Sequence, residues 1–338
     1  MSEVVPDFSG QRVRAFAICL SIAVLWLAAA APSAGAPALP PAPKHIVIVF
    51  EENRDYSTVV GDKRLATMQT FIERGAVFTD AHAVTHPSLP NYFAIFTGRT
   101  NTDGDRCSDA PDSYGDLPVN AGLQALMPTL ASELIAAHRT FVGYAEGLPS
   151  AGFVRCFGNG GAMFGAYFKR HVPWAFFTHA GHPSDVAGDA HHYLLPDDTD
   201  QPFSAFPSPG QYDRLPTVAM VTPNVADDMH GSGLGGSSER LAMDADQWLG
   251  TNIEPLVEWA ADPKHSTLVI ITWDEGGHHA RGDTNHIPTI FLGAMVRPGD
   301  DAERITHYGV LATIEHFYGL PPMSDADRRA PSIAGCWR

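Results

Sequence analysis

Cysteine, positive charge and long apolar runs are all scarce in this chain. Four cysteines occur in 338 residues and none forms a CxxC pair, which excludes a zinc ribbon or similar cysteine cage. Lys and Arg together number 22 against 38 Asp and Glu, a net charge of −16. Such a surface repels a phosphodiester backbone, so nucleic acid is not expected as a partner. No internal repeat is present, which excludes solenoid and propeller arrays. The single low-complexity tract is the Pro/Ala stretch PALPPAPK at 37 to 44.

The one long apolar run, AFAICLSIAVLWLAAAA, lies at the N-terminus. Arg12 and Arg14 precede it and Ala34-Gly35-Ala36 follows, the order of a secretory signal: basic, apolar, small-residue cleavage site. Residues 1–36 are therefore expected to be a signal peptide, with an uncleaved anchor as the alternative. Export to the periplasm or the extracellular space follows, with no integral membrane span after cleavage. Residues 37–44 read as a linker, and 45–338 as one domain with loop insertions at about 100–125 and 178–215. In an exported chain Cys107 and Cys156, each in a loop rich in Gly, Ser, Asp or Asn, are expected to form a disulfide. Cys19 leaves with the signal and Cys336 stays unpaired.

Short apolar runs recur at HIVIVF (45–50), AVFTDA (76–81), TFVGYA (140–145), PWAFF (173–177), TVAMVT (217–222), STLVIITW (266–273) and IPTIFLG (287–293). Helical patterns intervene, namely LATMQTFIERG, LMPTLASELIAAH, MDADQWLGTNIEPLVEWAAD and YGVLATIEHFYG. Strands apolar throughout and alternating with helices predict an α/β layered fold with a largely parallel sheet.

Polar residues gather where these strands end. HIVIVF runs into Glu51, Glu52 and Asn53, TVAMVT towards Asn224, Asp227, Asp228 and His230, and STLVIITW into Asp274 and Glu275. The C-terminal ends of parallel strands share one edge, where such folds bind ligands. HAVTHPSLPNY (82–92) adds Ser88 at the start of a predicted helix, where the N-terminal field favours a serine alkoxide or a bound phosphate oxygen. The plain alternative makes Ser88 a helix N-cap. Converging carboxylates repel one another unless a cation lies among them. Oxygen-rich ligation calls for a hard divalent ion, calcium or magnesium, and neighbouring imidazoles widen the choice to manganese, iron or zinc. His82, His86, His230, His286 and Asn91 are candidates to bind phosphate oxygens or to protonate a leaving group. His278 and His279 read as part of a solvated loop rather than as ligands.

The segments HIVIVFEENRDY, THPSLPNYFAIFTG, VTPNVADDMHG, ITWDEGG with HIPTIFLG, and HYGVLATIEHFYGLP, in that order over residues 45–321, resemble the bacterial phosphoesterase family. That family holds secreted acid phosphatases and phospholipases C and lies within the alkaline phosphatase superfamily. KRHVPW and the two loop cysteines make the mycobacterial-type secreted acid phosphatase branch the nearest in pattern. The resemblance implies an alkaline phosphatase-like α/β/α sandwich. It implies Ser88 as nucleophile and metal ligand, with Glu52, Asn53, Asp274 and Glu275 completing the site. It implies phosphate contacts from His86, Asn91, Asp228 and His230. Because the chain ends soon after GLPP, a compact monomeric phosphomonoesterase acting on a small molecule or a lipid head group, phosphoinositides among them, is expected. A phospholipase C-type phosphodiesterase and a non-catalytic metal-bound surface protein are the alternatives.

Overall fold

The computed structural model describes residues 39–100, 127–153, 155–158, 167–178, 193–230, 237–277 and 284–338. The proposed signal, Cys107, most of the first insertion, and His278 and His279 lie outside the described residues. The sheet has eight strands: β1 (His45–Glu51), β2 (Ala76–His82), β3 (Phe141–Ala145), β4 (Asp200–Pro202), β5 (Val218–Thr222), β6 (Thr267–Trp273), β7 (Thr289–Leu292) and β8 (Gly299–Thr306). Their spatial order is β4-β3-β5-β1-β6-β7-β2-β8. Every neighbouring pair is parallel except the two that β7 makes with β6 and β2.

The central strands are buried on both faces, with Ile46 to Phe50 of β1 and Leu268 to Ile271 of β6 at 1% exposure or less. This is why they read as unbroken apolar runs rather than alternating ones. Helices α2 (Ala66–Arg74), α5 (Ser238–Asn252) and α6 (Glu254–Ala260) pack together, as do α3 (Ser88–Thr97), α4 (Leu130–Ala136) and α7 (His307–Tyr318). Two further helices are single turns, α1 (Tyr56–Val59) and α8 (Asp325–Arg329). The sandwich expected from the sequence is thus the one observed.

Three elements depart from the sequence reading. PWAFF is not a strand: Pro173 opens a 3₁₀ turn over Pro173–Phe176. Trp174 is held there because its indole donates to Asp200 Oδ1 at 2.7 Å and fills the space over Gly143, where a Cβ would come within 2.0 Å of the ring. MDADQWLGTNIEPLVEWAAD divides at Ile253, since Pro255 lacks the N–H needed to continue a helix and starts a new one instead. Strand β8 was not foreseen. Its sequence GDDAERIT alternates, and its charges sit on the sheet edge, where they discourage pairing with a second sheet. Within the second expected insertion, Asp200–Pro202 extends the sheet as β4.

Candidate active site

Strands β5, β1 and β6 are adjacent and parallel, so their C-terminal ends open onto one edge. Glu51 pairs with Trp273 in register, and Asp274 N donates to Glu51 O at 3.1 Å, which puts Glu52 and Asp274 side by side. Glu52 N donates to Asp228 O at 2.7 Å and draws the loop after β5 to the same place. Beyond β1 the backbone turns sharply at Asn53, whose φ is +51°, and Asn53 N reaches Asp274 Oδ1 at 3.0 Å. The glycines after Glu275 permit this closure. A Cβ on Gly277 would lie 2.8 Å from Asn53 O, and one on Gly276 2.7 Å from Asp55 Oδ1.

Ser88 is the first residue of α3, and the position before it is Pro87, so Ser88 is not an N-cap. Its hydroxyl lies 3.3 Å from Glu52 Oε2 and 3.1 Å from Glu275 Oε1, and accepts from Asn53 Nδ2 at 3.4 Å. Glu275 Oε2 is held by His86 Nδ1. Tyr92, one turn along α3, donates to Glu52 Oε1 at 2.7 Å. Ser88, Glu52, Asp274 and Glu275 are all 2% exposed or less, so these acids are not solvated surface groups.

The five expected metal-binding residues, Glu52, Asn53, Ser88, Asp274 and Glu275, therefore converge. Asp274 Oδ2 is buried without a hydrogen-bond partner, and burial, reinforced by the charges of Glu52 and Glu275, holds this carboxyl well above its ordinary range. A hard divalent cation fits such an all-oxygen donor set and would relieve the repulsion. Among the described residues no three acidic or imidazole side chains already stand at ligating spacing.

Asp228 and His230 border the same centre. Asp228 is 1% exposed, its Oδ1 accepts from His230 N at 2.8 Å, and burial pushes it up to about 7 against the pull of His230 and Arg170. His171 joins them. Its Nε2 lies 3.2 Å from Glu52 Oε1 and its Nδ1 3.4 Å from Asp228 Oδ2, between the rings of Tyr92 and His230. Residue-by-residue reading of the sequence gave His171 no role, although it lies in KRHVPW. The available signal for Tyr92 was its four-residue spacing from Ser88, which puts both on one helix face.

Other expected substrate contacts are placed differently. Asn91 is fully buried and spends its amide on the turn before Ser88, accepting from the Val84 and Thr85 amides at 3.0 Å each and donating to Thr85 O and Pro87 O. His82 engages Thr284 O at 2.7 Å and Asp80 at 2.6 Å. His286 stacks between Tyr56 and His82, with centroids 4.4 and 5.1 Å away. Of the histidines expected to contact substrate, His86 meets Glu275 beside Ser88 and His230 meets Asp228 through its backbone. Cys156 is buried in a disulfide, Cys336 is buried and free, and the assignment of Cys107 as the partner falls outside the described residues.

Residues 62–321 match the phosphoesterase family. A phosphatidylinositol-3-phosphatase of Mycobacterium tuberculosis is 36% identical over 95% of this chain and 91% of its own length. An acid phosphatase of Aspergillus fumigatus is 25% identical over 82% of this chain, which spans only 56% of that protein. Among solved structures, an alkaline phosphatase superfamily protein from Vibrio parahaemolyticus superposes with a TM-score of 0.54 at 15% identity, covering 88% of this chain and 72% of that one. No helix among the described residues is long and apolar enough to cross a membrane.

Proposed function

The chain belongs to the phosphoesterase family, and on that premise we propose that it is an exported, metal-dependent acid phosphatase that hydrolyses phosphomonoesters with Ser88 as nucleophile. The observation that supports this most directly is the Ser88 hydroxyl at the N-terminus of α3, between the carboxylates of Glu52 and Glu275. A nucleophilic serine needs an acceptor for its proton and a field that favours the oxyanion, and both are present there. The relatives support the substrate class, and the mycobacterial one makes a phosphorylated inositol head group a substrate to test alongside small monoesters.

In the proposed reaction Ser88 Oγ bonds to phosphorus as the ester P–O bond breaks, and the serine proton passes to Glu275 or Glu52. A divalent cation bound by Glu52, Asn53, Ser88, Asp274 and Glu275 would supply positive charge that lowers the serine pKa and offsets charge on the transferring phosphoryl oxygens. His230, whose backbone N–H is held by Asp228, would protonate the departing alcohol oxygen. His86 bears on Glu275 and so keeps that carboxylate turned towards Ser88. Water then attacks the phosphoserine, giving one proton to His230, while the proton held on the carboxylate returns to Ser88 Oγ as phosphate leaves. Tyr92 and His171 orient Glu52 from the buried side, which leaves its other oxygen directed at the serine.

The test is Ser88→Ala in the purified, folded protein, assayed on an aryl phosphate. A loss of at least about 10³-fold in kcat is expected, and wild-type turnover would overturn the nucleophile assignment. Parallel rates on monoesters and lipid diesters separate the phosphatase from a phospholipase C, and faster diester cleavage would favour the latter. Turnover of neither monoesters nor lipid diesters would leave only a metal-bound surface protein.

A further inference from the structure

The segment 284–287, between the site loop after β6 and strand β7, is hydrogen-bonded to two neighbouring segments, the start of α1 and the end of β2. Tyr56 N donates to His286 O at 2.9 Å, Ala83 N to Asn285 O at 2.9 Å, and Ile287 N to Ala81 O at 3.0 Å. At its centre Asn285 is 8% exposed and adopts φ +53°, a left-handed conformation that Asn tolerates better than most residues. Its side chain bridges two segments that carry the chemistry. Oδ1 accepts from Gly276 N at 2.7 Å, next to Glu275, and Nδ2 donates to Thr85 O at 2.6 Å, next to His86 and three residues before Ser88.

We propose that Asn285 is a positioning residue for the hydrolysis, setting the separation between the Ser88 turn and the Glu275 carboxylate. This rests on the phosphatase reading above. A Cβ on Gly276 would meet Asp55 Oδ1 at 2.7 Å, so the amide that Asn285 accepts from lies in a turn with no room for a side chain. Asn91 completes the arrangement from the opposite side. It also donates to Thr85 O, at 2.9 Å, so that one carbonyl is gripped from the nucleophile helix and from the loop before β7. An amide serves here because it carries an acceptor for one segment and a separate donor for the other, whereas an ionised carboxylate has no donor. The Ser88 to Glu275 contact of 3.1 Å has little tolerance for movement, since proton transfer falls off once the heavy atoms part.

Asn285→Gly and Asn285→Asp are the variants to compare, on an aryl phosphate and with activity normalised to folded protein. Glycine accepts φ +53° and removes both side-chain bonds, while aspartate keeps the acceptor for Gly276 N and loses the donor to Thr85 O. For Asn285→Gly a fall in kcat of about 10- to 100-fold with KM changed by less than about threefold is expected. For Asn285→Asp the ratio of its kcat to wild type should rise as pH falls, because the neutral carboxyl regains a proton to donate. A purely structural residue would lower the folded fraction but give neither the split between kcat and KM nor the pH-dependent recovery. Full kcat per folded molecule in Asn285→Gly, a change in KM alone, or a flat Asn285→Asp ratio would each overturn the proposal. An inactive wild type would overturn the phosphatase reading, and this role with it, which separates the two failures.

Discussion

His171 approaches Glu52 at 3.2 Å, nitrogen to oxygen, with both side chains buried. The same ring lies 3.4 Å from Asp228 through its other nitrogen, so one imidazole ties the acid at the end of β1 to the acid beyond β5. Glu52 thus has each oxygen occupied by different partners: Tyr92 and His171 on Oε1, Asn53 and Ser88 on Oε2.

Replacing His171 with Gln should therefore disorient Glu52 and leave Asp228 without its imidazole neighbour, lowering kcat by about 10- to 100-fold with a fall in Tm of no more than a few degrees. Steady-state kinetics beside thermal unfolding checks this. Unchanged kcat in the folded variant would remove His171 from the site.

Removing divalent cations should abolish turnover and lower Tm, because the cation would bind the folded arrangement of Glu52, Asp274 and Glu275 and not the unfolded chain. Elemental analysis must confirm the removal. Re-addition of one cation at a time should restore both properties and identify the metal. Full activity in protein shown to be metal-free would contradict the cofactor assignment.

The pH dependence of stability should be set partly by Glu315, far from Ser88 along the chain. Burial, then the adjacent Asp327, pushes the Glu315 carboxyl up to about 9. Burial would raise Asp327 as well, but hydrogen bonds from Ser324, Glu315 and the Met323 and Ser324 amides more than offset it and hold Asp327 below its usual value. Between the ordinary value of 4.5 and about 9, Glu315 is protonated when folded and ionised when unfolded. The unfolded state then binds fewer protons, so stability declines as pH rises through that window. Glu315→Gln should flatten the decline and stabilise the protein at pH 8 by about 1 kcal/mol once solvent screening is allowed for. Chemical denaturation at pH 5 and pH 8 reads it directly, and an unchanged slope would disprove the assignment.

Cys156→Ser should lower stability by up to about 4 kcal/mol, the loop-entropy value for a bridge to Cys107, less any strain. Reductant should reproduce the loss in wild type and have no effect on the variant. Peptide mapping that finds Cys107 alkylated without reduction would disprove the pairing.

What could be read in the sequence follows from how strongly local chemistry is constrained. Apolar runs ending in Glu52, Asp228 and Asp274 could be placed on one edge because parallel strands have a common direction, and Ser88 joined them because Pro87 marks a helix start. PWAFF misled because its apolar character serves the packing of Trp174 over Gly143 rather than strand pairing. Strand β8 was missed because an edge strand need bury only part of its side chains, so its charges masked the alternation.

The sequence by itself determined the layered class and put Ser88, Glu52, Asn53, Asp274 and Glu275 at the ends of local elements on one sheet edge, and the resemblance to the family singled out those five as a set. Only the tertiary structure decided the rest. It showed Asn91 spent on the turn before Ser88, His82 and His286 stacked beside β2, and His171 brought from a 3₁₀ turn between two acids. Those outcomes depend on partners distant in sequence, His171 with Glu52 and Asp228, Asn285 with Thr85 and Gly276. A buried hydrogen bond is specified by where both groups end up, and no local pattern encodes the second one.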